Sequence, residues 1–367
     1  MSKRVYLHVG APKTGTTYLQ DRLALNATSL RRHGYRYPTG PHGDMFLAAL
    51  DLLDRPWGGM RPQAEGQWDA LVRRVRRARG TVVVSHEILA GAKPAEAQRA
   101  LADLSFAEVH VVYSARDLAR QVAAEWQEQL KHQRKVTFKT FLRQLRETDR
   151  GGGDSKRSTR WFWRVQGLPG VLERWGHGLT PAQVNVVTVP RPGGPSEELW
   201  QRFCTALGID PAWAPAEGSR RNPSIGTAES TLLRQVNARL KAAGLPSDQY
   251  RALVRQLVVH ETLAERPDMR PVTLPPDAYD WAEEVAQTWI EWVKGSGVRV
   301  VGDLEELRPV RPQPGSEWQD PDRPRPRDLT SAAVDAIVAL TLEASRRQDP
   351  DDTLTARAQK LARHLRR

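Results

Sequence analysis

An eight-residue segment near the start of the chain combines the residue types that bind phosphate and sulfate. It contains two glycines, one lysine and three threonines, in the order Gly10-Ala11-Pro12-Lys13-Thr14-Gly15-Thr16-Thr17. Glycines let the main chain approach a ligand closely, and main-chain N–H groups, a lysine and hydroxyl groups are all hydrogen-bond donors for an oxyanion. The segment therefore predicts an anion-binding loop rather than an ordinary glycine turn capped by threonine.

The elements on either side of this loop would aim its donors at a ligand. Apolar residues recur at every second position from Val5 to Val9, which predicts a β-strand, and Leu19 and Leu23 follow Thr16 at helical spacing. The first N–H groups of a helix have no partner within the helix, and they lie at the positive end of its dipole. An anion between strand and helix would meet these groups.

Two further short runs of β-branched residues predict buried strands. Residues 81–84 lead into Ser85-His86-Glu87, and residues 109–113 lead into Ser114-Ala115-Arg116-Asp117. Helical patterns separate the three runs, which is typical of a parallel sheet with crossover helices. We predict a three-layer, P-loop-like α/β fold with a central, mainly parallel sheet flanked by helices. Its ligand site would lie at the carboxyl ends of the strands.

The order of residues in the loop differs from that of an ATP-binding loop. Nucleotide kinases and ATPases use G-x-x-x-x-G-K-[ST], in which the lysine follows the second glycine. Here Thr16 follows Gly15, and Lys13 lies inside the loop. Those enzymes also need a carboxylate at a neighbouring strand end to bind magnesium, for which Glu87 and Asp117 are the candidates. A phosphotransferase that uses magnesium-ATP is thus an alternative function for this loop.

The segment Pro12-Lys13-Thr14-Gly15-Thr16-Thr17 resembles the 5′-phosphosulfate loop of sulfotransferases that use 3′-phosphoadenosine 5′-phosphosulfate (PAPS). The resemblance implies PAPS as co-substrate, its desulfated form PAP as by-product, and a catalytic role for Lys13 on the leaving phosphate. It also implies a set of residues that bind the 5′ end of the nucleotide, namely Ala11, Pro12, Lys13, Thr14, Gly15, Thr16 and Thr17.

A second motif of that family holds the 3′-phosphate with an arginine and, eight residues later, a serine. Arg116 fills the first place, whereas Ala124 stands where the serine is expected. Ser114, Arg120 or an arginine of the segment Ser219-Arg220-Arg221-Asn222 is left to compensate. We assign Ser114 and Arg116 to the nucleotide site.

The acceptor needs a base, because a neutral hydroxyl attacks poorly, and the family commonly uses a histidine or a glutamate near the loop. His86 and Glu87 follow the second predicted strand, and His42 lies in a turn-rich segment after the first helix. We favour His86, since imidazole titrates near neutral pH. Glu87 and His42 remain open as alternatives. No metal is expected in this scheme.

The charge of the chain is consistent with an anionic ligand. It has 55 lysine and arginine residues against 43 aspartate and glutamate residues, a formal net charge of +12. The arginines are spread along the chain rather than clustered with aromatic residues, which argues against a nucleic-acid-binding module. We predict a PAPS-dependent sulfotransferase that moves a sulfuryl group to a hydroxyl or amine of a small molecule or glycan by in-line displacement.

Composition also bears on location and domain organisation. Cys204 is the single cysteine, no run of 18 apolar residues occurs, and the first strand starts too early for a signal peptide. We therefore expect a cytoplasmic protein without a transmembrane segment. The predicted division is an α/β domain over 1–308, a Pro/Arg-rich linker over 309–329 and a helical C-terminal extension over 330–367. Two amphipathic helices in that extension offer a route to a homodimer.

Overall fold

The computed structural model describes residues 3–38, 44–55, 59–149, 157–195, 197–217, 224–313 and 315–346. Three features of the sequence lie outside these residues: the candidate base His42, the segment Ser219-Arg220-Arg221-Asn222 and the second helix predicted in the C-terminal extension.

A six-stranded sheet organises the fold. Its strands are β1 (Arg4–Gly10), β2 (Tyr35–Arg36), β3 (Thr81–Ser85), β4 (Glu108–Ala115), β5 (Val184–Thr188) and β6 (Arg299–Val301). Their spatial order is β2-β3-β1-β4-β5-β6, and the pairings between these described strands are all parallel. The three strands predicted from the sequence are β1, β3 and β4, which lie side by side. The predicted α/β fold class is confirmed.

The central strands are buried on both faces. Val5, Leu7 and Val9 of β1 have no exposed surface, and Val82 and Val111 on the neighbouring strands are equally buried. Near-continuous apolar strands of this kind need helices on both sides of the sheet.

Helices connect the strands and cover the sheet. Those of the α type are α1 (Thr16–Leu25), α2 (Ala27–Arg32), α3 (Asp44–Leu52), α4 (Arg61–Ala64), α5 (Gln67–Arg77), α6 (Pro94–Asp103), α7 (Leu118–Lys131), α8 (Phe138–Asp149), α9 (Arg157–Gln166), α10 (Leu168–Trp175), α11 (Glu198–Leu207), α12 (Thr227–Ala242), α13 (Ser247–Gln249), α14 (Tyr279–Ser296) and α15 (Pro326–Ser345). A 3₁₀ turn over Glu87–Gly91 follows β3, and Tyr250–His260 is wound as a π-helix. Among the described helices, none is both long and apolar enough to cross a bilayer.

Contacts divide the described residues into two units. One unit contains the sheet and draws on 1–128, 137–222 and 273–318, and the other draws on 129–136, 223–272 and the chain after 319. Both units are thus assembled from discontinuous segments. The boundaries predicted at residues 308 and 329 follow the order of the chain and stay a prediction.

The second unit packs α12 and the π-helix with α15. The Tyr250 hydroxyl donates to Asn237 Oδ1 at 2.7 Å, and Arg266 Nε donates to Glu229 Oε1 at 2.9 Å. Large apolar side chains on α15 are exposed in the described chain, namely Val334, Ile337, Val338, Leu340 and Leu342. The homodimer expected through the C-terminal helices stays a prediction.

Two glycines shape the connection from β1 to α1. Gly10 has a φ of 129°, and a Cβ atom there would lie 3.0 Å from the main-chain oxygen of Glu87. Gly15 is the N-cap of α1 with a φ of 83°, and a Cβ atom there would lie 2.6 Å from Leu199 Cδ2. Both positions require glycine, because other residues rarely adopt these angles and would collide with neighbouring atoms.

We expect Gly15→Ala to lower the free energy of unfolding by about 2 kcal/mol, since left-handed backbone costs a non-glycine residue ~1 kcal/mol and the contact with Leu199 adds to it. Gly66 is a matched control, because it caps α5 with a φ of 75° and has open space around it. Urea unfolding of Gly66→Ala should report the backbone cost alone. Equal losses in the two variants would contradict the contact with Leu199.

Candidate functional site

The carboxyl ends of β1, β3 and β4 meet at one edge of the sheet and hold the predicted loop between them. The Ala11 N–H donates to the Ser114 carbonyl at 2.9 Å, and the His86 N–H donates to the His8 carbonyl at 3.1 Å. The start of the loop is therefore bonded to β4, and the end of β1 just before it is bonded to the residue that follows β3. The structure brings the loop residues 10–17 together with His86, Glu87, Ser114 and Arg116 at this edge.

A buried histidine lies beneath the loop and joins the three strands. His8 Nδ1 is 2.8 Å from Ser85 Oγ, and His8 Nε2 is 3.1 Å from Ser114 Oγ. A neutral imidazole has one donor and one acceptor, so it can satisfy one hydroxyl on each side. Burial lowers the pKa of His8 to about 4, which keeps the ring uncharged at neutral pH. In the sequence, His8 is only one position of the alternating first strand, and its contacts with two serines are not evident.

The loop backbone is fixed through the carbonyl group of Pro12. Gln121 Nε2 donates to this oxygen at 3.2 Å, and Gln166 Nε2 donates to it at 3.0 Å. The two amides also bond to each other at 2.8 Å. Both glutamines are almost fully buried. They were missed by the sequence analysis, because a glutamine within an amphipathic helix carries no motif or spacing that distinguishes it.

The threonines of the loop have different surroundings. Thr14 is buried and donates from Oγ1 to the Ala11 carbonyl at 2.6 Å, which closes the loop on itself. Thr16 is the first residue of α1 and is buried, whereas Thr17 in the same turn is half-buried. The helix begins where the sequence predicts it. Its first turn directs main-chain N–H groups toward the loop, as helix geometry requires.

Charged side chains contact Lys13 at two places, its main-chain carbonyl and its ammonium group. Its backbone is left-handed, with a φ of 65°, and its carbonyl accepts a hydrogen bond from Arg116 Nη1 at 2.9 Å. Its ammonium group forms an ion pair with Glu128 at 2.5 Å. Glu128 was missed by the sequence analysis. The available signal was its position four residues after Ala124, which puts both residues on one face of α7.

Arg116 is a largely buried cation at the end of β4. Its Nε atom is buried and has no hydrogen-bond partner among the described residues. Burial, with a smaller contribution from the neighbouring charge of Arg120, lowers the pKa of Arg116 to about 10. The guanidinium group is still positively charged at neutral pH. It therefore offers an unused N–H donor beside the loop.

The side chains next to Arg116 have other partners. Ser114 is fully buried, with its hydroxyl against His8 and its carbonyl against Ala11. Asp117 accepts from the Arg120 main-chain N–H at 2.9 Å and also pairs with the Arg120 guanidinium group. Arg120 Nη1 in turn donates to the Pro190 carbonyl at 3.2 Å. Ser114 and Arg120 thus support the site, and their contact with a nucleotide stays a prediction.

The two described base candidates lie together after β3. His86 Nδ1 accepts from the Ile88 N–H at 3.3 Å and lies 3.9 Å from Glu87 Oε2. The His86 ring also packs against Phe46, with 5.3 Å between ring centroids. Gln20 Nε2 donates to Glu87 Oε2 at 3.0 Å.

Burial disfavours the charged forms of both His86 and Glu87, with different net effects on their pKa values. Burial lowers the pKa of His86, which therefore stays neutral at pH 7. Burial acts to raise the pKa of Glu87, but His86, the main-chain N–H of Glu87 and Gln20 outweigh it, so the net pKa is lowered.

Other polar groups complete the description of this edge. Trp126 on α7 is fully buried and packs edge-on against Phe138, so it belongs to the core rather than to a ligand surface. Within the described ranges, no group of three or more histidine, cysteine, aspartate or glutamate side chains is arranged to hold a metal ion.

Comparison with known proteins finds a structural likeness to a solved structure. No protein-family model matches the sequence, and no curated protein matches it. Among solved structures, a sulfotransferase from Alicyclobacillus acidocaldarius is 19% identical, with a TM-score of 0.43, over 67% of this chain and 98% of that chain. The fold class of this chain rests on the sheet described above.

The buried state of His8 predicts a specific loss of stability in acid. Between about pH 4 and 6.5 the unfolded chain binds a proton at this residue and the folded chain does not. Stability therefore falls as the pH drops through this window, by at most about 1.4 kcal/mol per pH unit from this residue. Urea unfolding at pH 7 and pH 4.5 should give a smaller pH-dependent loss for His8→Gln than for the unmodified chain. The same loss in both proteins would contradict an uncharged His8.

Proposed function

We propose that this chain is a sulfotransferase that uses PAPS and transfers the sulfuryl group to a hydroxyl or amine of a small molecule or glycan. The observation that carries the proposal is the convergence of two cations on one short loop. Lys13 lies in the loop itself, and Arg116 reaches the loop from β4 with a buried N–H that lacks a partner among the described residues.

An anion would compensate the charge of Arg116, which lacks a carboxylate partner in the described part of the chain, whereas Lys13 is paired with Glu128. A buried cation is costly unless an opposite charge or hydrogen bonds compensate it, and Asp117, the carboxylate next to Arg116, is paired with Arg120. The first turn of α1 adds main-chain N–H groups and the positive end of the helix dipole. These groups are donors of the kind that bind phosphate oxygens. Lys13, Thr16 and Thr17 would bind the 5′ end of the nucleotide, with Arg116 beside them.

The reaction requires charge stabilisation and alignment. PAPS supplies an activated sulfuryl group, and its transfer leaves additional negative charge on the 5′-phosphate. Lys13 and the N–H groups of α1 would stabilise this charge as it develops, which lowers the barrier more than equal binding of ground and transition states would. The rigid attachment of the loop to β4 and the two glutamines keeps these donors in place.

Among the described residues, His86 and Glu87 are our candidates for the base that accepts the proton of the acceptor. His86 is neutral and uses Nδ1 as an acceptor, so the proton on the ring sits on Nε2. To take the acceptor's proton, Nδ1 must first release the Ile88 N–H; otherwise the proton would go to the Glu87 carboxylate, whose Oε2 lies 3.9 Å from Nδ1. We retain His86 as the favoured base and Glu87 as its alternative. His42 is a further candidate outside the described residues.

The test of the proposal is calorimetric titration of the chain with PAP in the absence of added metal. We expect binding by the unmodified chain, and a loss of roughly ten- to a hundredfold in affinity for Lys13→Ala, because a hydrogen bond to a charged group contributes about 1.5–3 kcal/mol. Lys93→Ala is the matched control, since Lys93 is an exposed lysine that pairs with Glu96 at the start of α6.

The alternative function gives a different result in the same titration. A phosphotransferase would prefer magnesium-ATP to PAP, and Lys13→Ala would then affect ATP binding. Failure of the unmodified chain to bind PAP would refute the sulfotransferase proposal.

The ionisation of His86 predicts the pH dependence of transfer. A base must be unprotonated, and burial lowers the pKa of His86 below its usual 6.5, so the rate should rise with pH to a plateau, with a midpoint below 6.5. Transfer of labelled sulfate from PAPS to a panel of phenols, sugars and amines measures this profile. His86→Gln should abolish the rise. Its persistence in this variant would assign the base to Glu87 or His42, which Glu87→Gln distinguishes.

A further inference from the structure

The Lys13 ion pair is an unusual feature for a site meant to hold an anion. Lys13 Nζ lies 2.5 Å from Glu128 Oε2, and both side chains are only 17% exposed. Partial burial weakens screening by solvent and salt, so the negative charge of Glu128 acts strongly on its surroundings. An anion that contacts Lys13 in this geometry would also lie close to a carboxylate.

The main chain of Lys13 cannot relieve this conflict by moving away. Its own carbonyl is bound by Arg116, and the carbonyl of the preceding residue is bound by Gln121 and Gln166. Glu128 is fixed at its Cα by the third turn of α7. The Lys13 side chain can still change partner, because a lysine has four rotatable bonds.

We propose that Glu128 is a positioning residue of the donor site, which holds the Lys13 ammonium group in the nucleotide-free chain and is replaced by the 5′-phosphate when the nucleotide binds. The inference rests on the proposed function. Glu128 keeps the loop lysine compensated, and it sets the affinity for the donor, because each binding event must break the ion pair.

The position of Glu128 on α7 supports this role. Ala124 occupies the place where the second motif of the resembled family has a serine. Glu128 lies one helical turn further along the same face. The contact between this helix and the Lys13 side chain is made by the carboxylate of Glu128. A carboxylate pairs with a lysine more strongly than a neutral hydroxyl does.

Titration with PAP measures the effect of the ion pair on affinity. We expect Glu128→Gln to bind PAP about tenfold more tightly than the unmodified chain, because the variant removes both the competitor for Lys13 and a negative charge near the phosphate. If Glu128 only stabilised the folded loop, the loss of its charge in Glu128→Gln would weaken PAP binding instead. Glu128→Asp retains the charge and should not tighten binding, and it serves as the second variant if Glu128→Gln fails to fold.

Glu108→Gln is the control for overall charge. It also removes one carboxylate, but Glu108 lies at the opposite end of β4 and pairs with Arg4. Its affinity for PAP should match that of the unmodified chain. Equal tightening in Glu108→Gln and Glu128→Gln would overturn the inference, because the effect would then be a general one.

A crystal structure of the PAP complex provides the direct test. We expect Lys13 Nζ within hydrogen-bond distance of the 5′-phosphate and more than 4 Å from Glu128. An intact ion pair in the complex, or unchanged or weaker PAP affinity of Glu128→Gln, would overturn the inference and leave the proposed function intact. Failure of the unmodified chain to bind PAP would refute both the inference and the proposed function.

Discussion

The geometry of the site depends on one uncharged imidazole between three parallel strands. His8 faces a serine on either side, so the ends of β3 and β4 are held at fixed distances from β1. A charged ring at this position would have two donors and no acceptor, and burial would penalise its charge. The Ala11 N–H at the start of the loop bonds to β4, so the position of the loop depends on the sheet.

The charges around the loop are compensated unequally. Lys13 has a carboxylate partner, whereas the nearest carboxylate to Arg116 along the chain is taken up by Arg120. The two cations consequently differ in what an arriving anion must do. Arg116 can accept it with an N–H that is already buried and unused, while Lys13 must first leave Glu128. In the proposed function, the phosphate would therefore meet two cations that differ in their starting partners.

Much of the scaffold could be predicted from the sequence, because its signals are local. The alternation in β1, the β-branched runs of β3 and β4 and the hydroxyl residue that begins α1 each occupy a few consecutive positions. The contacts that fix the loop are different in kind. Glu128, Gln121 and Gln166 lie more than one hundred residues from it along the chain, and a polar residue on a helix gives no indication of which distant group it will meet. The assembly of both units from discontinuous segments is hidden for the same reason.

The double hydrogen bond at Pro12 has a consequence for the direction of a neighbouring donor. In a planar trans peptide the carbonyl oxygen of one residue and the amide hydrogen of the next point in opposite directions. Gln121 and Gln166 immobilise the Pro12 oxygen, and so they also prevent rotation of the peptide plane that carries the Lys13 N–H. Helices remote in sequence thus determine where a main-chain dipole points. The eight-residue motif transplanted into another framework would keep its side chains and lose this orientation.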